Sequence, residues 1–70
     1  MEREVDARGL LCPEPVLLTR QVLAGMNEGK VRVLVSNMAA RENVTRLAEN
    51  KGWRVEAATL GEDMELLLIK

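Results

Sequence analysis

Seventy residues carrying ten basic and eleven acidic side chains give a net charge of −1, and a chain of that length supports one domain. The balance lacks the basic excess and stacking aromatics of nucleic-acid binders; Trp53 is the only aromatic residue. One cysteine and no histidine exclude an internal disulfide, a metal cluster and a Cys–His catalytic pair, and no apolar run approaches the roughly 20 residues of a membrane span.

No basic-then-apolar leader opens the chain, and a lone free thiol suits a reducing compartment, so the expected location is cytoplasmic. Chains this short bury only about 60% of the surface they expose when unfolded. The core must therefore come from the aliphatic residues that dominate the 47% hydrophobic fraction.

The first expected element is a short strand at Glu4-Val5-Asp6-Ala7. Arg8 to Leu11 then lead into Cys12-Pro13-Glu14-Pro15. Proline is tolerated in the first turn of a helix, where its missing N–H has no partner to lose. With Cys12 as N-cap, Pro13 and Pro15 fall at the first and third helical positions of a helix reaching about Ala24. Its buried stripe comprises Pro15, Val16, Leu18, Thr19, Val22, Leu23 and Met26. Arg20 and Gln21 lie opposite, and Leu17 is stranded off the stripe, one turn from Cys12.

Lys30 to Val35 reads as a strand, with Val31, Val33 and Val35 on one side. A second helix is expected from about Met38 to Lys51, with Asn37 as N-cap and Gly52 as a left-handed stop. Its core side is Ala40, Val44, Leu47, Ala48 and Lys51; Arg41, Glu42, Thr45, Arg46 and Glu49 face water. Two strands follow, Trp53–Leu60 and Asp63–Ile69, joined at Gly61-Glu62. Trp53, Val55 and Ala57 alternate inward on the first, and Met64, Leu66 and Leu68 on the second. The order βαβαββ implies an α+β fold, a two-layer sandwich with a four-stranded sheet and both helices on one face.

A lone cysteine is often a small buried hydrophobe. Position argues otherwise for Cys12, because the N–H groups and dipole of a helix start favour thiolate over thiol. The two prolines hold the turn, and Arg8 adds positive charge nearby. Without histidine or a second cysteine, the chemistry left is that of one activated thiolate helped by a partner. It can take up sulfane sulfur, hold it as a persulfide and pass it on. No cofactor or metal is expected.

The run Val5-Asp6-Ala7-Arg8-Gly9-Leu10-Leu11-Cys12-Pro13-Glu14-Pro15-Val16 resembles the signature of the TusA/SirA/YedF family of small sulfur-carrier domains. The Cys-Pro-x-Pro motif and its Asp-x-x-Gly-x-x-Cys lead-in carry the likeness, with Asp6 and Gly9 in that lead-in. Ser36-Asn37-Met38-Ala39-Ala40-Arg41-Glu42-Asn43-Val44 resembles the YedF-like branch; TusA itself usually has an acidic Asp-Pro stretch here. The resemblance implies a sulfurtransferase-type carrier with Cys12 as the reacting group. A cysteine desulfurase would be its donor, and a further protein its acceptor. It also implies sheet order 1-2-4-3 with strand 4 antiparallel to the rest. Asn37, Arg41 and the Glu62-Asp63 tip would then neighbour Cys12. The alternative is a non-enzymatic redox or regulatory module of the YedF-like kind, linked by name to selenium.

Among the remaining candidates, Asn37 is explained by capping and Arg41 by a choice between anion steering and plain solvation. Glu14 complements the helix dipole, and Trp53 reads as core. The sheet face away from the helices is expected to expose Leu34, Leu67 and Ile69 as an apolar patch for a second copy or a further domain. Leu17 is expected to dock the sulfur donor or acceptor.

Overall fold

The structure is a computed structural model in which residues 2–10 and 14–70 are described. The expectations placed on Cys12 and Pro13, as N-cap and first helical residue, lie outside the described residues. Six elements follow one another: β1 (Glu2–Asp6), α1 (Glu14–Ala24), β2 (Lys30–Val35), α2 (Met38–Asn50), β3 (Arg54–Leu60) and β4 (Asp63–Ile69). They build a sheet of order β1-β2-β4-β3. β1 and β2 run parallel, and β4 is antiparallel to both β2 and β3. This is the α+β arrangement the sequence implied.

Alternation of side chains fixes which face is buried. Val31, Val33 and Val35 of β2 and Leu66 and Leu68 of β4 are fully buried, in register with one another. They meet Pro15, Thr19 and Leu23 of α1 and Ala40, Val44 and Ala48 of α2. The small residues on α2 let that helix approach closely. Thr19 is the one buried polar residue in the described core, and its Oγ1 donates to the Pro15 carbonyl at 2.8 Å. Trp53, just ahead of β3, is core as expected, and its N–H donates to the Ala48 carbonyl at 2.9 Å.

α2 starts where Asn37 accepts the Ala40 N–H on Oδ1 at 2.8 Å. It stops at Lys51, ahead of Gly52, whose φ of +83° is natural for glycine alone. The β3–β4 connection is a two-residue turn with Gly61 at φ 65° and no positive φ at Glu62. Glycine first in the pair is the chemistry of a type II′ hairpin.

Several expectations shift. β1 begins at Glu2 and ends at Asp6, because its parallel register with β2 extends back to Lys30. Lys51 is exposed as the C-cap instead of facing the core. Arg41 and Thr45 are half-buried. Ala57 is exposed, since β3 is an edge strand and the helix layer does not close over its C-terminal half.

The face away from the helices is the largest correction. Glu4, Arg32 and Glu65 form a charged row across β1, β2 and β4, and Arg54 pairs with Glu56 on β3. Leu34 is only 6% exposed there, set in register between Asp6 and Glu65. Leu67 and Ile69 are half-buried. Charge lies over this face, so a continuous apolar patch does not form.

Candidate functional site

The approach to the cysteine-bearing segment is built from the end of β1. The Ala7 N–H prolongs the strand by donating to the Leu34 carbonyl at 2.9 Å. The chain then turns over Ala7-Arg8-Gly9-Leu10, closed by the Leu10 N–H on the Ala7 carbonyl at 3.3 Å. Gly9 sits at the third position of that turn with φ 78°, where any side chain would be strained. Its N–H donates to Ser36 Oγ at 2.7 Å, tying the turn to the junction of β2 and α2. Leu10 packs against the core and Pro15 is fully buried. Described residues on both sides of positions 11–13 are thus anchored in the interior.

Arg8, expected to add positive charge near Cys12, is held in an ion pair with Asp6. Its Nε and Nη2 grip the two Asp6 carboxylate oxygens, each at 2.9 Å, and its backbone N–H adds a third bond to Asp6 at 3.2 Å. Asp63, at the start of β4, stands 3.9 Å from Nη1 on the far side. The side-chain and backbone hydrogen bonds from Arg8 pull the Asp6 pKa down from 3.8 to about 2. The same bonding raises that of Arg8. Arg8 is a strap from β1 toward the β3–β4 hairpin, and two carboxylates already answer its charge.

Of the residues singled out in the sequence, the structure brings Asp6, Arg8, Gly9 and Pro15 to the base of the cysteine segment. Asp63 comes to the same end of the sheet through Arg8. Asn37 is one residue from Ser36, but its side chain is occupied with capping. Arg41 Nη1 lies on Met38 Sδ at 3.8 Å, within the first turn of α2. Leu17 is 46% exposed on the outer side of α1, as its position off the stripe required. Ser36 was missed. A hydroxyl between a strand and an N-cap has no pattern of its own, and its role depends on Gly9, 27 residues away.

Fold and site together define a small α+β domain whose only cysteine falls in the sequence between the first strand and the first helix. The chain belongs to the TusA sulfurtransferase family, whose model, described as Sulfurtransferase TusA, matches residues 3–70. It is 38% identical over 69 residues to a protein of Methanocaldococcus jannaschii named as a candidate sulfur carrier, covering 97% of this chain and 92% of that one. It also resembles the crystal structure of a SirA-like protein from Desulfitobacterium hafniense, with a TM-score of 0.88 and 33% identity. That match covers 96% of this chain and 95% of the other. Among the described residues, no helix is long and apolar enough to cross a membrane.

Proposed function

We propose that this protein is a sulfur carrier that accepts sulfane sulfur on Cys12 as a persulfide and hands it to a partner protein. The observation that carries this reading is that Cys12 is the chain's only thiol, in a sequence matching a sulfurtransferase family over residues 3–70. The Cys12 thiolate attacks the terminal sulfur of a donor persulfide, R–S–S–H. The donor's S–S bond breaks, and the donor leaves as the thiolate R–S⁻. Cys12 keeps S–S–H, and an acceptor thiolate repeats the exchange in the next step. No net electrons enter or leave, so the reaction needs no cofactor. Cys12 must be a free thiol before each loading step, which suits a reducing, cytoplasmic setting. The Ser36–Val44 segment supports placement on the YedF-like branch, and Gly9, Asp6, Arg8 and Ser36 support Cys12 by holding the turn ahead of it.

Incubation with a cysteine desulfurase and isotopically labelled cysteine tests the proposal. Mass spectrometry is expected to find one added sulfur on Cys12 and none on Cys12→Ser. An unloaded wild-type chain with an active desulfurase overturns the reading. Leu17→Glu is expected to leave the fold intact and to slow transfer between partners, because Leu17 is the exposed apolar residue on the first helix.

A further inference from the structure

β3 is an edge strand. It pairs with β4 on one side only, and six of its seven residues are exposed. The polarity of its backbone can be read from the rest of the sheet. Lys70 and Gly29 exchange both of their backbone hydrogen bonds at 3.0 Å, so even-numbered residues of β4 bond toward β2. Odd-numbered residues of β4 therefore bond toward β3, where they stand opposite Arg54, Glu56, Ala58 and Leu60. This agrees with the two-residue hairpin, whose closing pair, Leu60 and Asp63, is a bonded one. Val55, Ala57 and Thr59 are left to point their N–H and C=O groups out of the open edge.

That edge carries little of the protection usual in exposed strands. Ala57-Ala58-Thr59-Leu60 contains no charge, proline or bulge, and Leu60 is 44% exposed. On the helix side the same stretch borders a notch of about 240 Å³, lined by Met38, Arg41, Ala57, Ala58, Thr59 and Met64. Arg41 is half-buried there, and no carboxylate pairs with it among the described residues. A strand added beside β3 would set every second side chain over this notch.

We infer that the β3 edge takes an extended segment of a partner protein as a fifth strand, with an acidic side chain of that segment meeting Arg41. A second copy of this chain fits less well. The helix-side residues of its β3 are Val55, Ala57 and Thr59, and of its β1 Arg3 and Val5; none is acidic, and Arg3 repeats the charge of Arg41. The notch lies at the end of β3 that meets Asp63, the end of the sheet to which Arg8 is strapped. The inference draws on the carrier reading only for why a partner would come. Binding is therefore measured on Cys12→Ser protein, where it does not depend on sulfur loading.

The probe is acetyl-Lys-Val-Thr-Glu-Thr-Val-Lys-amide, which presents Val, Glu and Val on one face when extended. In amide NMR titrations, Val55, Ala57, Thr59 and Arg41 are expected to shift saturably. Replacing the peptide's Glu with Gln is expected to weaken binding about three- to fivefold, the scale of an exposed ion pair. In Arg41→Gln the two peptides should bind equally. Ala57→Pro removes an outward N–H without touching the β4 ladder and should abolish binding. Should that variant unfold, the comparison of the two peptides on Arg41→Gln still decides. Absence of saturable shifts, shifts confined to other surfaces, equal binding of both peptides to Arg41 protein, or self-association through β3 would each overturn the inference.

Discussion

Asp6 and Ser36 show how much one side chain can set at the base of this site. Asp6 is exposed, yet both carboxylate oxygens are held by Arg8, which lowers its pKa from 3.8 to about 2. A carboxyl group depressed on folding contributes stability that is fully present above its unfolded value, near pH 4, and is lost as pH falls through about 2. Thermal melting of wild type and Asp6→Asn should therefore differ by a constant amount above pH 5, and the gap should close between about pH 4 and pH 2. Ser36→Ala leaves the Gly9 N–H without its acceptor. The expected cost is about 1 kcal/mol in urea unfolding, with solvent offsetting part of the loss at this exposed bond. Loading of Cys12 should slow by more than that cost explains, because the turn ahead of the cysteine loses its tie to the junction of β2 and α2. Unchanged loading kinetics would reduce Ser36 to a local structural role.

At the scale of elements, the first turns of the two helices can be tested separately. α2 starts with Asn37 donating no chemistry beyond its cap, an extended residue whose Oδ1 accepts the Ala40 N–H. Asn37→Ala should destabilise the protein by about 1 kcal/mol, the usual worth of such a cap. Circular dichroism during urea titration would measure it, and sulfur loading per folded molecule should not change. α1 has a buried Pro15 in its first turn, with Thr19 Oγ1 bonded back to the Pro15 carbonyl. Among the described residues, a buried stiff ring and the Thr19 bond support the first turn of α1, and the Asn37 side chain caps α2.

For the molecule as a whole, stability rests on one aliphatic core between the helix layer and the sheet. A chain of 70 residues has a net stability of roughly 4–10 kcal/mol at ordinary values per residue. Leu66 is fully buried at the centre of the sheet, on β4 between Val33 and Ala57. Leu66→Ala should remove about 2–5 kcal/mol and bring the chain close to unfolding at 25 °C, read as a fall in the urea midpoint. The face away from the helices should be far more tolerant. Its row of Glu4, Arg32 and Glu65 is exposed enough for salt to screen it, so melting temperature should depend weakly on ionic strength.

The amino-acid sequence by itself determined the order of elements, the limits of β2, the inward valines, the Asn37 cap, the Gly61 turn and the position of the single cysteine. The structural ones among these are local: they follow from period-2 and period-3.6 patterns and from what glycine, proline and asparagine do to a backbone. Tertiary structure decided what depends on partners distant in the chain. Nothing local announced the ion pairs of Arg8 with Asp6 and Asp63, and Ser36 had no signal until Gly9 arrived beside it. Leu34 lies on the outer face that alternation assigns it, yet its register neighbours leave it buried, while Ala57 has the inward parity and remains exposed at the edge. Periodicity specifies the direction in which a side chain points. Whether anything covers it is a property of neighbouring strands and helices, and that emerges only when the layers are assembled.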